Sequence, residues 1–250
     1  MPAEVSRESG RRVFLSAEWR DLVMLNYEVE PPLLRSHLPP GTELDSFDGR
    51  TYVSLVGFRF LRTKISGRLA IPFHRNFDEV NLRFYVRRVE AGEPRRGVVF
   101  IREIVPRATI ALVARSAYGE NYISLPMRHE VNLSAAGGSA FYAWRVNGDW
   151  CAMEAKVSGT ASPVREGSVE QFITEHYWGY TKRRGGGSLE YRVEHEPWRV
   201  WTSREAGFKG NTDTLYGRDL TAIMRRPPDS AFVAQGSSVL VLAAKKIASR

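Results

Sequence analysis

Hydrophobic positions recur at every second residue through most of this chain, in short runs bounded by glycine, proline or asparagine. The alternation is cleanest over Glu79–Arg88, where Val80, Leu82, Phe84 and Val86 share one face and Glu79, Asn81, Arg83 and Tyr85 the other. That is the period of a strand with one apolar face. Asp21–Val29 and Thr51–Leu61 are further strands, the second entered through the tight-turn pair Asp48-Gly49. Gly97–Val105 is apolar on both faces and reads as a central strand. Met127–Leu133, Ser139–Val146, Trp150–Ser158, Tyr177–Lys182, Leu189–His195, Trp198–Arg204 and Ser237–Ala244 complete the set.

Helical spacing is confined to short pieces. Pro31 and Pro32 open a helix through Leu38, which Pro39-Pro40-Gly41 ends. Pro106 starts another to about Ala117, with Ile110, Val113, Ala114 and Ala117 on one face. Ser168-Val169-Glu170-Gln171 has the capping-box pattern, predicting a helix to about Glu175. More helical pieces fall between Thr212 and Met224. Many strands with few short helices, and no alternation of strand with long helix, predict an α+β, mostly β barrel with peripheral helices. A single domain is expected over residues 13–244, with 1–12 and 245–250 as flexible termini.

Composition adds exclusions. Apolar residues make up 43% and charged residues 26%, an ordinary globular balance. No apolar run approaches the roughly 18 residues that span a bilayer, and Met1–Arg12 lacks the apolar stretch of a signal peptide. Cys151 is the one cysteine, so no internal disulfide forms. A cytoplasmic protein is expected. The net charge of +8 arises from 36 basic and 28 acidic residues, and six of the basic ones are lysine. Such a charge invites nucleic acid. The doublets Arg87-Arg88, Arg95-Arg96, Arg183-Arg184 and Arg225-Arg226 are scattered, however, which favours a solvated arginine-rich surface.

Several words could carry chemistry. His74-Arg75-Asn76-Phe77-Asp78-Glu79 packs five polar groups into six positions. Arg75 could clamp a carboxylate and Glu79 move a proton, or the word could staple a loop through an Arg–Glu pair. Arg59 shares a strand face with Val53, Leu55 and Leu61, and Arg102-Glu103 interrupts an apolar strand. Each must be paired or line a polar cavity. A hairpin symmetric about Gly185-Gly186 would set His176 opposite His195, Trp178 opposite Val193 and Tyr180 opposite Tyr191. Two opposed histidines could bind a metal with a third ligand, or be hydrogen-bonded structural residues. No metal-ligand spacing supports the first, so no metal and no cofactor is expected. There is no Gly-x-Ser-x-Gly word and no phosphate-binding glycine loop, and Cys151 lies mid-strand.

Four blocks resemble the YqjF-like family of uncharacterised proteins, within the acetoacetate decarboxylase-like superfamily. They are Trp19-Arg20-Asp21-Leu22 with Leu25-Asn26-Tyr27, the long word Phe73–Arg83, Glu175-His176-Tyr177-Trp178-Gly179-Tyr180, and Tyr191-Arg192-Val193-Glu194-His195. The likeness runs from about residue 13 to 242 and implies that superfamily's β-barrel. Leu38-Pro39-Pro40-Gly41 matches a superfamily segment, and Glu28 falls where those enzymes carry an arginine near the substrate carboxylate. Phe77-Asp78-Glu79-Val80 matches the word that supplies an active-site glutamate, which implies that role for Glu79. Matching Arg115 and Gly119 puts Tyr122 at the place of the lysine that forms the superfamily's imine.

Tyrosine cannot form an imine, and a Schiff-base amine needs desolvation or a neighbouring cation to lose its proton. Only Lys245-Lys246, near the chain end, pairs a lysine with a cation in an apolar word. Imine decarboxylation is therefore not expected. The first reading is a barrel binding a small anionic or keto-acid ligand through Arg59, Arg75, Asn76, Arg83, Arg102, Arg115, His176, Tyr180, Tyr191 and His195. The second is a lyase or hydrolase using non-imine acid–base chemistry on Glu79, with Tyr122 or His74 as the acid. A nucleic-acid or protein interaction module stands third, and an exposed barrel edge would allow homo-oligomers.

Overall fold

The computed structural model describes residues 12–65, 75–112, 119–183 and 185–247. Its strands in chain order are β1 (Val13–Val29), β2 (Glu43–Leu44), β3 (Thr51–Ile65), β4 (Phe77–Glu90), β5 (Glu93–Val105) and β6 (Tyr122–Ser124). There follow β7 (Met127–Ser134), β8 (Gly137–Val146), β9 (Asp149–Ser158), β10 (Ser162–Pro163) and β11 (Trp178–Lys182). β12 (Ser188–His195), β13 (Arg199–Thr202), β14 (Glu205–Lys209), β15 (Ser230–Leu242) and β16 (Lys245–Ile247) complete the list. Short helices at Val169–Thr174, Asp213–Tyr216 and Arg218–Met224 join them. The fold is α+β and mostly β.

The larger sheet closes on itself. β15, β1, β3, β4, β5, β11 and β12 pair in that order, and β12 returns to β15 through Val193↔Val241 and His195↔Val239. Only the β5–β11 step in this ring is parallel. A second, four-stranded sheet of β14, β9, β8 and β7 covers one side of the ring. The apolar face read from sequence, Val80, Leu82, Phe84 and Val86, packs against Tyr142, Trp144 and Met153 of that sheet. Each such side chain contributes about 1.5–3 kcal/mol on burial. The opposite face of β4, with Glu79, Asn81 and Arg83, therefore turns into the ring.

Several boundaries differ from those predicted. β1 begins at Val13 because a bulge between Arg20 and Val23, with Asp21 at φ 58°, breaks the alternation that marks its second half. β15 begins at Ser230, although Gly236-Ser237-Ser238 resembles a turn. Gly236 is a close-approach site, since a Cβ there would collide with the Trp19 carbonyl across the ladder. β14 was not predicted, and Lys245–Ile247 is a strand paired to Ser188–Glu190, not a free end. The predicted helix after Pro106 is helical over 108–112, beyond which lie undescribed residues. No helix among the described residues is long and apolar enough to cross a membrane.

Candidate functional site

A cavity of about 130 Å³ fills the middle of the ring. Its walls are largely aromatic and aliphatic, with Trp19 and Phe58 among them, and Glu79, Asn81, Arg83, Glu103, Glu120, Tyr122, His176, Tyr191 and His195 supply polar groups. Simple alternation delivers Glu79, Asn81 and Arg83. Glu103 arrives by a break in alternation. Leu82 pairs with Arg102 while Arg83 pairs with Phe100, so Ile101 is the extra residue of a bulge. Strict alternation would put Glu103 on the face of Val99 and Ile101. The bulge instead leaves Phe100 and Glu103 both on the cavity wall.

Three carboxyls meet there with 2%, 2% and 5% of the surface of Glu79, Glu103 and Glu120 exposed. The Tyr122 hydroxyl donates to Glu79 Oε2 at 3.0 Å, and Asn81 Nδ2 donates to Glu79 Oε1 at 2.9 Å. Tyr122 is also hydrogen-bonded to Glu103, so the phenol bridges two carboxyls. Glu120 Oε1 accepts from Tyr191 at 3.0 Å and from the Thr181 hydroxyl. Tyr191 reaches this position by lying across Gly179, where any Cβ would strike its ring.

Burial dominates the acid–base character of this cluster. It pushes Glu79 up to about 7 against the hydrogen bonds from Asn81 and Tyr122 and the pull of Arg83. It pushes Glu120 up to about 8, with Glu79 adding repulsion. Glu103 is raised well above the ordinary carboxylate range by burial and by its two acidic neighbours. Glu103 and Glu120 are thus proton-bearing at neutral pH, and Glu79 stands near half-ionisation. Burial also raises the Tyr122 phenol well above its usual value, so it remains a donor.

The other polar wall is cationic and imidazole-lined. Arg83 Nη2 donates to the Ile173 carbonyl at 3.2 Å, and its Nε has no partner among the described residues. His176 Nε2 lies 3.1 Å from Asp45 Oδ2, which also accepts from Arg96 Nε at 2.7 Å. Burial would raise Asp45, but the His176 and Arg96 hydrogen bonds prevail and hold it at about 2. Burial lowers His176 to about 4 and His195 likewise to about 4, so both rings are neutral at pH 7. His195 Nδ1 donates to the Glu196 carbonyl at 2.9 Å.

Unpartnered polar atoms concentrate at this cavity. Among the described residues nine buried side-chain nitrogens and oxygens lack a hydrogen-bond partner. Six of the nine belong to cavity-lining residues: Trp19 Nε1, Thr63 Oγ1, Asn81 Oδ1, Arg83 Nε, Glu103 Oε2 and His176 Nδ1.

Of the residues singled out from sequence, Glu79, Tyr122, Arg83, His176, Tyr191 and His195 converge on the cavity. Arg59 does not: its guanidinium pairs with Asp21 on the ring's other face. Arg102 faces outward, donating to the Leu215 carbonyl at 3.2 Å and lining an open surface cleft that shares Glu120 and Tyr122 with the cavity. Tyr180 also points away and donates to Glu190 at 3.2 Å. Arg75 and Asn76 are exposed at the strand entrance, where Asn76 Oδ1 accepts from the Arg62 amide at 2.9 Å. His74 and Arg115 lie outside the described residues.

The β11–β12 register is one residue off the symmetric hairpin. Trp178 faces Arg192, Gly179 faces Tyr191 and Tyr180 faces Glu190, so the two histidines are not opposed. A one-residue slip exchanges faces, which is why Tyr191 enters the cavity and Tyr180 leaves it. No group of three or more metal-ligating side chains occurs among the described residues. None of the six lysines lines the cavity. Glu120 carried no periodic signal in the sequence. Glu103, a charge in an apolar strand, did.

Comparison with known proteins agrees with this architecture. The Legionella pneumophila acetoacetate decarboxylase superposes with a TM-score of 0.64 at 15% identity, covering 99% of this chain and 92% of that one. The enduracididine biosynthesis enzyme MppR, solved in complex with pyruvate, superposes with a TM-score of 0.65 at 16% identity over 99% and 95% of the two chains. These likenesses establish an acetoacetate decarboxylase-like fold. The uncharacterized protein YqjF of Bacillus subtilis (strain 168) is 28% identical over 199 residues, 78% of each chain. Residues 16–238 match the model of DUF2071, an uncharacterized conserved protein family, and the chain belongs to that family.

Proposed function

We propose that the ring interior binds a small organic acid of keto-acid type, held without covalent attachment to lysine. The reading is carried by the gathering of unpartnered buried polar atoms around one aromatic cavity. An apolar ligand would leave them uncompensated at about 1–3 kcal/mol each, whereas a ligand rich in oxygen offsets that cost. Among the described residues lining the cavity, Arg83 is the cation available to a carboxylate. The proton-bearing Glu103 and the Tyr122 hydroxyl are donors for a carbonyl. Size restricts the choice further, since about 130 Å³ is close to the ~150 Å³ that holds a benzene ring. Nucleotides and coenzyme thioesters are too large. The pyruvate complex of MppR supports a ligand of this class in this fold.

Chemistry on such a ligand would proceed without an imine, because a phenol and not an amine stands beside Glu79. A half-ionised carboxyl hydrogen-bonded through Tyr122 to a protonated one supports a second reading, proton transfer α to the ligand carbonyl with Glu79 as base. Thermal-shift titration with small keto acids separates these ideas from binding through surface charge. At a concentration 100 times Kd a true ligand stabilises by about 2.7 kcal/mol, and Arg83→Met should remove the response. A chain that ignores every acid but binds nucleic acid with steep salt dependence would reject the proposal. Turnover lost in Glu79→Gln with binding retained would favour the enzyme.

A further inference from the structure

Two of the unpartnered atoms, Arg83 Nε and His176 Nδ1, flank the same ring. Arg83 Cζ lies 5.7 Å from the Tyr85 centroid and the His176 ring 4.7 Å from it. Arg83 is tethered by the carbonyl of Ile173, three residues before His176. Asp45 accepts from His176 Nε2, so that nitrogen carries the proton and Nδ1 presents a lone pair. The corner thus offers one fixed donor and one fixed acceptor. A bare carboxylate would satisfy Arg83 but oppose the lone pair on Nδ1, whereas a carboxylate together with one extra proton satisfies both.

We infer that the Arg83–His176 corner is the head-group site of the cavity and binds a carboxylate together with one proton, shared with His176 Nδ1 and balanced by Asp45. This rests on the reading of the cavity as a keto-acid site. The groups facing His176 fit the assignment. Asp45 stabilises an imidazolium, while burial, Arg96 and Arg83 oppose one. A bound carboxylate neutralises Arg83 and tips the balance toward proton uptake. Tyr85 and Phe172 pack on the ring and bring no charged group to it. The site consequently selects monoanionic acids and their neutral amides, which bring a proton of their own, and discriminates against dianions.

The test is isothermal titration calorimetry of the full chain with pyruvate and pyruvamide at about pH 5.5, in two buffers of different ionisation enthalpy. At that pH Glu79 and Glu120 are already protonated and His176 is not. Pyruvate is expected to bind with uptake of about one proton, and pyruvamide with none. His176→Gln keeps a donor toward Asp45 and should bind pyruvate at least tenfold more weakly, with no uptake. Pyruvate binding without proton uptake in the wild type overturns the inference while leaving the cavity reading intact. So does uptake that persists in His176→Gln. Failure of both compounds to bind the wild type overturns the cavity reading and this inference with it. The two wild-type titrations decide the matter even if the variant does not fold.

Discussion

The Tyr122 hydroxyl donates to Glu79 Oε2 at 3.0 Å, on the inner wall of the ring of strands, with Glu79 buried and Tyr122 half-buried between the cavity and the surface cleft. A hydrogen bond to the charged form favours it, so Tyr122 restrains the rise in Glu79 that burial imposes. Tyr122→Phe removes that restraint. Glu79 should then keep its proton to a higher pH than in the wild type. The protonated-carboxyl stretch in the infrared, followed against pH and assigned with Glu79→Gln, measures the change. An unchanged titration would mean that Tyr122 serves Glu103 instead.

The same phenol occupies the place that the resemblance gives to an imine-forming lysine. All six lysines lie away from the cavity. Lys64 projects outward between the cavity-lining Thr63 and Ile65, and Lys245 is tied to Glu190 at 3.2 Å. Incubation with acetoacetate or pyruvate and then borohydride should leave the intact mass unchanged. A reduced adduct mapped to any lysine would restore the covalent mechanism.

Much of this was legible in the chain because β4 obeys a strict period of two. One face, Val80 to Val86, had to enter an apolar layer, and the other, Glu79 to Arg83, then had nowhere to go but the ring interior. Legibility failed where the period itself changes. The bulge at Ile101 reverses the sense of Arg102 and Glu103, and the one-residue offset of β11 against β12 reverses Tyr180 and Tyr191. Neither is encoded by composition, since each depends on which residues the partner strand presents. Asp45 and Glu120 sit in connections between strands, where no period exists to aim a side chain. Their partners come from 131 and 61 residues further along the chain.

Arg59 separates structural from ligand-binding arginines. Its guanidinium donates to Asp21 Oδ2 from Nε at 3.0 Å, with 29% and 18% of the two side chains exposed. Asp21 holds the bulge that lets β1 change faces. Arg59→Ala leaves a half-buried carboxylate unpaired and should cost about 2 kcal/mol, read from urea unfolding. Keto-acid affinity should be unchanged, because the pair lies outside the cavity. A loss of affinity without a loss of stability would reverse the assignment.

Burying three carboxyls sets the pH dependence of stability, and Glu120 is the clearest case. Unfolded, it releases its proton near its ordinary 4.5; folded, it holds it to about 8. Between those values the folded chain carries the extra proton, so this contribution weakens as pH rises and levels off above about pH 8. The buried His176 and the half-buried His195 act oppositely. His176 and His195, lowered to about 4, contribute stability that grows from there to about pH 6.5. The two trends overlap, so the wild-type curve alone does not isolate either. Glu120→Gln does: the amide oxygen still accepts from Thr181 and Tyr191, and there is no proton to lose. Each tenfold in proton affinity is worth about 1.4 kcal/mol, and 1 kcal/mol moves Tm by roughly 2–4 °C in a chain of this size. Glu120→Gln should therefore melt at least about 3 °C above the wild type at about pH 8.5, with little difference at about pH 5. Calorimetric Tm values giving the same offset at both pH values would mean that Glu120 is already ionised in the folded chain, with its negative charge compensated inside the cavity.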